Sequence, residues 1–180
     1  MPRAIQPARP SDDIDAARAG SGPLAGGVLA PEIAAFCESG LSVVVGTRRP
    51  DGWPVPVHAR AVRVAGDTVR VLVQRSESAP VLAGLAAGAG VAVTFSRPAD
   101  HRSIQLKAPG AAIDACDAAD VAAVERQLAA YRTALAAMGY PPSFLLSFTA
   151  HDAADLAAIV LRPEAAFVQT PGPGAGSPLR

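Results

Sequence analysis

Between positions 41 and 73 the chain reads LSVVVGTRRPDGWPVPVHARAVRVAGDTVRVLV, and apolar residues alternate with polar ones on both sides of two short polar breaks. Val43, Val44 and Val45 form a β-branched run that stops at Gly46 and Thr47. Pro50, Asp51 and Gly52 then supply turn chemistry before alternation resumes at Val55. A second turn at Ala65, Gly66 and Asp67 leads into Val69, Val71 and Val73, spaced by two. The pattern predicts a three-stranded antiparallel meander, because turns this short cannot carry a parallel crossover. His58 and Arg60, two residues apart on the middle strand, are expected to share a face.

Alternation returns twice more. Val91, Val93 and Phe95 interleave with Ala92, Thr94 and Ser96 in a fourth strand, and Ile104 and Leu106 interleave with Ser103, Gln105 and Lys107 in a fifth. A run apolar on both parities, Leu156 to Leu161, reads as a buried strand, central or held at an interface. Residues 167–170 close the chain, followed by PGPGAG, which can form neither helix nor ladder.

Helical spacing appears in three places. Pro31 opens a short helix that Gly40 follows, with Ile33 and Phe36 facing inward. Pro80 opens a second helix that runs through Leu85 and ends at Gly88 or Gly90. The longest runs from Asp117 to Met138, where Val121, Val124, Leu128, Tyr131, Leu135 and Met138 recur at intervals of three and four; Asp117 and Asp120 start it, and Gly139 with Pro141 and Pro142 ends it. Residues 143–151 read as a connection. The sum is an α+β, mainly β arrangement: a six-stranded antiparallel barrel or curved sheet with flanking helices. Residues 1–27 lack apolar periodicity and read as a flexible N-terminal arm, 28–176 as one domain and 177–180 as a tail.

Composition narrows what such a domain can do. At 180 residues, half of them apolar, the chain can bury one ordinary core. A net charge of zero, with two Tyr, five Phe and one Trp, argues against nucleic-acid binding. No segment approaches the roughly twenty apolar residues of a membrane span. Cys37 and Cys116 belong to no CxxC pair, so neither a zinc site nor a disulfide framework is expected and a cytoplasmic setting is the simplest. Lys107 is the sole lysine, so arginine here reflects a general bias in usage as much as chemistry.

Candidate chemistry is concentrated in arginines, hydroxyls and one amide on neighbouring strands, a set suited to an anionic, planar, hydrogen-bonding ligand. Ser78 stands at a helix start with Arg75 three residues before it. That pairing fits a bound phosphate or ordinary capping. His58, His101 and His151 have no metal-ligand spacing, and the common hydrolase, zinc and nucleotide motifs are missing. No residue declares itself a general acid or base.

The order helix, LSVVVGTRRPDGWPVP, HARAVRVAGDTVRVLV, helix, VAVTFSRP, HRSIQLK, long helix and closing FVQTPGPGAG resembles the pyridoxamine 5′-phosphate oxidase-like family, the FMN-binding split barrel, over residues 28–176. The resemblance implies a homodimer with FMN at the subunit interface. It places Arg60 on the phosphate, Arg75 and Ser78 on phosphate or ribityl oxygens, and Gln105 beside the flavin ring. Thr47 would face the ring or ribityl chain, Lys107 would stabilise charge on the reduced ring, and His58 shares Arg60's face. Two departures stand out: Ala79 and Pro80 replace a basic pair common at that helix start, and Ala108 and Pro109 precede Gly110 where relatives carry glycine directly after QLK. The implied function is a flavin-dependent oxidoreductase acting on a small molecule. The alternatives are a non-catalytic protein that binds, stores or senses a flavin or haem, the latter through His58, His101 or His151, and a barrel that has lost its cofactor.

Overall fold

The structure, a computed structural model, describes residues 28–179; the N-terminal arm expected over 1–27 lies outside them. Helix α1 (Pro31–Cys37) leads into strand β1 (Ser42–Arg48), then β2 (Pro54–His58), β3 (Ala61–Ala65) and β4 (Thr68–Gln74). Helix α2 (Ala79–Ala86) precedes β5 (Val91–Ser96), β6 (Ser103–Ala108) and β7 (Ala112–Ala115). The long α3 (Ala118–Ala137) and short α4 (Pro142–Phe148) are followed by β8 (Leu156–Leu161) and β9 (Ala165–Val168). The fold is α+β, with two antiparallel sheets in the orders β2-β1-β5-β6-β9 and β3-β4-β8-β7.

Six strands were expected, and the described residues form nine. The difference arises mainly where the middle strand of the supposed meander breaks. β2 pairs with β1 in one sheet, β3 pairs with β4 in the other, and the chain crosses between sheets at Ala59 and Arg60. His58 and Arg60 therefore do not alternate on one strand, which corrects the reason given for a shared face, although both line one small crevice. Sequence alternation could not reveal the break, since apolar residues continue on both sides of it. β7 was also missed, because Ala112 to Ala115 carries little periodic signal and forms only by pairing with β8.

The inner faces of the two sheets enclose the main core. Val43 and Val45 of β1, Val93 and Phe95 of β5, Ile104 and Leu106 of β6, and Val69, Val71 and Val73 of β4 belong to one buried cluster with Ile159. A second cluster lies on the outer side of the four-stranded sheet, where Ala123, Val124 and Leu128 of α3 meet Ala61, Leu72, Leu156 and Ala158. This explains the doubly apolar run in β8. One parity faces the main core and the other is covered by the chain's own helix, so the run needs no partner subunit to bury it.

The long helix matches its expected bounds. Asp117 caps it by accepting from Asp120 N–H at 2.7 Å, while the Asp120 carboxylate accepts from Asp117 N–H at 3.1 Å. That reciprocal pair is a capping box. The helix also closes an open sheet edge. Strand β3 is an edge strand, and its outward Val62 backbone would be left unpaired. Gln127 supplies the missing partner: its Oε1 accepts from Val62 N–H at 3.0 Å and its Nε2 donates to Val62 O at 2.6 Å. Glu38 accepts from Val64 N–H at 2.8 Å on the same edge.

Residues 143–151 do not form a simple connection; α4 occupies much of the span, and a 3-10 turn (Ala153–Asp155) follows it. Pro142 stands in the first turn of α4, where its missing N–H costs nothing. After the PGPGAG turn, Val168 N–H donates to Ser177 O and Leu179 N–H to Ala166 O, so the last described residues lie against β9.

Both cysteines are unpaired. Burial pushes the Cys37 thiol up to about 12 and also raises Cys116. Because the thiolate is the reactive form, the native chain at neutral pH is expected to leave Cys37 unlabelled by an aromatic disulfide reagent and to label Cys116 slowly. Both should react fully in denaturant; a rapid two-equivalent reaction without denaturant would contradict the burial of Cys37.

Candidate functional site

Two features stand apart from the packing. The first is a cavity of about 540 Å³ lined by residues including Gly46, Thr47, Pro54, Pro56, Ala92, Gln105 and Lys107, a volume typical of small-molecule sites. Sheet register explains it. Pro56, Gly46, Ala92 and Lys107 are successive partners across β2, β1, β5 and β6, on the face turned away from the core. Gly46 has no side chain and Ala92 only a methyl, so the middle of this row is hollow. A glycine inside a β-branched strand is the sequence signal for such a gap.

Three of the expected ligand residues meet at this cavity. Thr47 is buried, and its hydroxyl donates to Gly90 O at 2.8 Å. Gln105 donates from Nε2 to the Thr94 hydroxyl at 2.9 Å, which leaves its Oε1 as the amide's acceptor. Lys107 Nζ lies 4.7 Å from the Phe167 ring centroid. Helix α2 seals the far side of β1 tightly: a Cβ on Gly84 would come within 2.5 Å of Arg48 O. His58 faces outward in the next row, beside Val44, Thr94 and Gln105, with its ring edge-on to Phe148 at 5.9 Å. It does not line the cavity.

The second feature is a pair of buried, unpartnered polar atoms. Among the described residues, Arg60 Nε and Ser78 Oγ are the two buried side-chain nitrogen or oxygen atoms without a hydrogen-bond partner. Such groups are costly and call for an explanation. Ser78 is fully buried at the N-terminal end of α2, yet its hydroxyl makes no capping bond. The ordinary capping role left open by the sequence is therefore not the one it plays. Arg60 exposes 10% of its side chain, and its Nη2 reaches both carboxylate oxygens of Glu77, at 2.7 and 2.8 Å. Arg75 is exposed, with its backbone N–H donating to Asp155 O. Neither Arg60 nor Ser78, the two sides of the candidate phosphate cradle, lines the cavity; Arg60 borders a separate small crevice with His58, Tyr131 and Phe148.

Three further arginines of this region are occupied elsewhere. Arg63 bonds Asp117 and Asp120, and Arg70 bonds Asp114 and Asp120. Arg49 pairs with Asp51 across the β1–β2 turn. Of the histidines, His151 contacts Glu125 and Thr149, and His101 sits exposed in a turn at φ 59°. No group of three His, Cys, Asp or Glu that could hold a metal occurs among the described residues, and no helix among them is long and apolar enough to cross a membrane. Glu77 was the residue overlooked. Its place directly before Ser78 was the available signal that a carboxylate would stand beside the expected anion site.

Comparison with solved structures bears on this architecture. HupZ from Group A Streptococcus superposes with a TM-score of 0.51 at 14% identity, over 82% of this chain and 98% of that one. The "putative pyridoxamine 5′-phosphate oxidase" of Lactobacillus delbrueckii superposes with a TM-score of 0.50 at 16% identity, over 81% and 98%. The fold is that of the pyridoxamine 5′-phosphate oxidase-like proteins. No protein-family profile matches the sequence, and no curated protein matches it. Within the pyridoxamine 5′-phosphate oxidase-like fold, Arg60 and Ser78 come from the crossover between sheets and the start of α2, while the cavity opens on the five-stranded sheet.

Proposed function

We propose that this chain binds a phosphate-bearing flavin, FMN being the expected form, and uses it as an oxidoreductase on a small-molecule substrate. The observation that carries the reading is the coincidence of the unpartnered Arg60 Nε and Ser78 Oγ with two of the three residues, Arg60, Arg75 and Ser78, that the family resemblance assigns to phosphate or ribityl oxygens. A phosphoryl group accepts hydrogen bonds from both a guanidinium and a hydroxyl, and so removes the cost of leaving them unpaired. The residues present fit that group.

In this reading Arg60 and Ser78 hold the phosphate, with Arg75 at the solvent side. Thr47, Gln105 and Lys107 line the apolar cavity that receives a planar ring, and Gln105 Oε1 is placed to accept from a ring N–H. When bound, the flavin would supply hydride or electron transfer, and the protein would supply position and electrostatics. Lys107 would favour negative charge developing on whatever ring occupies the cavity. Cradle and cavity share no lining residue, which fits a site assembled from two copies, the cradle of one meeting the cavity of the other. A cytoplasmic homodimer is part of the proposal.

The test begins with colour: protein purified under native conditions is expected to be yellow, or to become so on adding FMN, and to release FMN on denaturation. Arg60→Ala should weaken FMN binding at least about tenfold, the loss expected for a charged hydrogen bond, with unchanged far-UV circular dichroism. Equal affinity in both proteins would remove Arg60 from the site. Reduction of the bound flavin by NADH or NADPH, with onward transfer to an acceptor, separates an enzyme from a storage protein.

A further inference from the structure

The cradle contains its own anion. Glu77 directs both carboxylate oxygens at Arg60 Nη2, at 2.7 and 2.8 Å, while standing immediately before Ser78 in the chain. Its side chain is 54% exposed and Arg60's 10%, so a surface carboxylate neutralises a nearly buried guanidinium. Charge around the cradle is balanced more widely. A second carboxylate stands nearby on Asp155, whose backbone carbonyl accepts from Arg75 N–H and whose carboxylate accepts from Ser76 N–H, Ser76 Oγ and Gln74 Nε2. The first turn of α2 carries no charged residue, and Pro80 removes one of its backbone donors. What the cradle offers an incoming anion is one serine hydroxyl, the remaining edge of Arg60 and the partial positive charge of a helix start.

A phosphate monoester carries about −1.5 to −2 charge at neutral pH. Set beside the Glu77 carboxylate in a partly desolvated cradle, its second charge is opposed by a like charge at close range. A phosphodiester carries a single charge and keeps two free oxygens, enough for Arg60 and Ser78. We propose that Glu77 is a specificity residue of the phosphoryl cradle, selecting a ligand joined through a singly charged phosphodiester over one ending in a doubly charged monoester. The inference rests on the flavin-phosphate reading of Arg60 and Ser78. It adds that, of two flavins alike in ring and ribityl chain, the unaltered chain holds the one extended beyond the phosphate more tightly than FMN.

The experiment uses the full chain and three probes: riboflavin, FMN and the methyl ester of FMN, a diester that differs by one methyl group and one charge. Dissociation constants are measured by quenching of flavin fluorescence at low ionic strength, for the wild type, Glu77→Gln and Arg60→Ala. Wild type is expected to bind the methyl ester about fivefold more tightly than FMN. Glu77→Gln should tighten FMN about tenfold and leave riboflavin within twofold, so that the preference disappears or reverses. An FMN-to-ester ratio unchanged by Glu77→Gln overturns the proposal. So does an equal weakening of both phosphorylated probes, which would make Glu77 a support for Arg60. The underlying reading fails differently: all three flavins would bind alike, or not at all, in wild type and Arg60→Ala.

Discussion

Replacing Asp120 by asparagine is expected to cost the fold about 3–5 kcal/mol at neutral pH, the loss typical of breaking a buried ion pair. Asp120 is fully buried, and it is shared by two arginines: Oδ1 accepts from Arg63 Nη1 at 2.7 Å and Oδ2 from Arg70 Nη2 at 2.7 Å. The same carboxylate accepts from Asp117 N–H in the cap of α3. Asparagine preserves the volume and can keep the cap, but it leaves Arg63 and Arg70 facing a neutral group at the seam between α3 and the four-stranded sheet. Denaturant titration should report the loss as a lowered midpoint with an unchanged slope.

The substitution should also change the response to acid. Burial alone would push the Asp120 carboxyl up, but the hydrogen bonds from Arg70 and then Arg63 outweigh it and hold the group down at about 2. A carboxylate whose pKa falls on folding contributes in full above its unfolded value, about 3.9, and the contribution fades as pH drops toward the folded value. Wild-type stability should therefore decline between about pH 4 and pH 2, and Asp120→Asn should decline less steeply there. Asp100, Asp51 and Asp155 are also held low by hydrogen bonds, so a residual slope remains. Parallel acid titrations of mutant and wild type would show that the arginine pair does not depend on the charge of Asp120.

Replacing Gln127 by leucine is the second large effect. Gln127 is almost wholly buried, and its amide takes the place of a neighbouring strand along the free edge of β3. Leucine conserves most of the packing and removes both hydrogen bonds, so Val62 N–H and C=O lose their partners away from water. Each buried orphan costs about 1–3 kcal/mol, and the sum approaches the Asp120 effect. Amide hydrogen exchange at Val62 gives a local readout: protection should fall there well before it falls at Val71, whose strand is paired on both sides. A loss below about 1 kcal/mol would mean that water satisfies the edge in place of the amide.

Both residues lie on a helix whose apolar stripe was readable in advance, yet neither was marked by that stripe. Periodicity reports which positions face the core; it carries no sign for a polar residue that faces inward to meet a particular partner. Asp120 looked like half of a capping box, which it is, and its two arginines stand about fifty residues earlier in the chain. Gln127 fell between apolar positions and signalled nothing until β3 became an edge.

What the sequence determined by itself was local. Alternation by two set β1, β4, β5 and β6 and their inward residues, intervals of three and four set α3, and proline and glycine set the helix limits. The order of these signals was enough to point to the fold, and the residue types of Arg60, Ser78 and Gln105 were enough to suggest a phosphate and a planar ring. What only the tertiary structure decided was which of these groups meet. The break after His58 sends Arg60 to a different sheet, the register of four strands sets Gly46 beside Ala92 to hollow out a cavity, and α3 buries the second face of β8. It also brings Glu77 onto Arg60, seventeen positions away. These are contacts across the chain, formed when sheets and helix pack together, and no period within one segment encodes them.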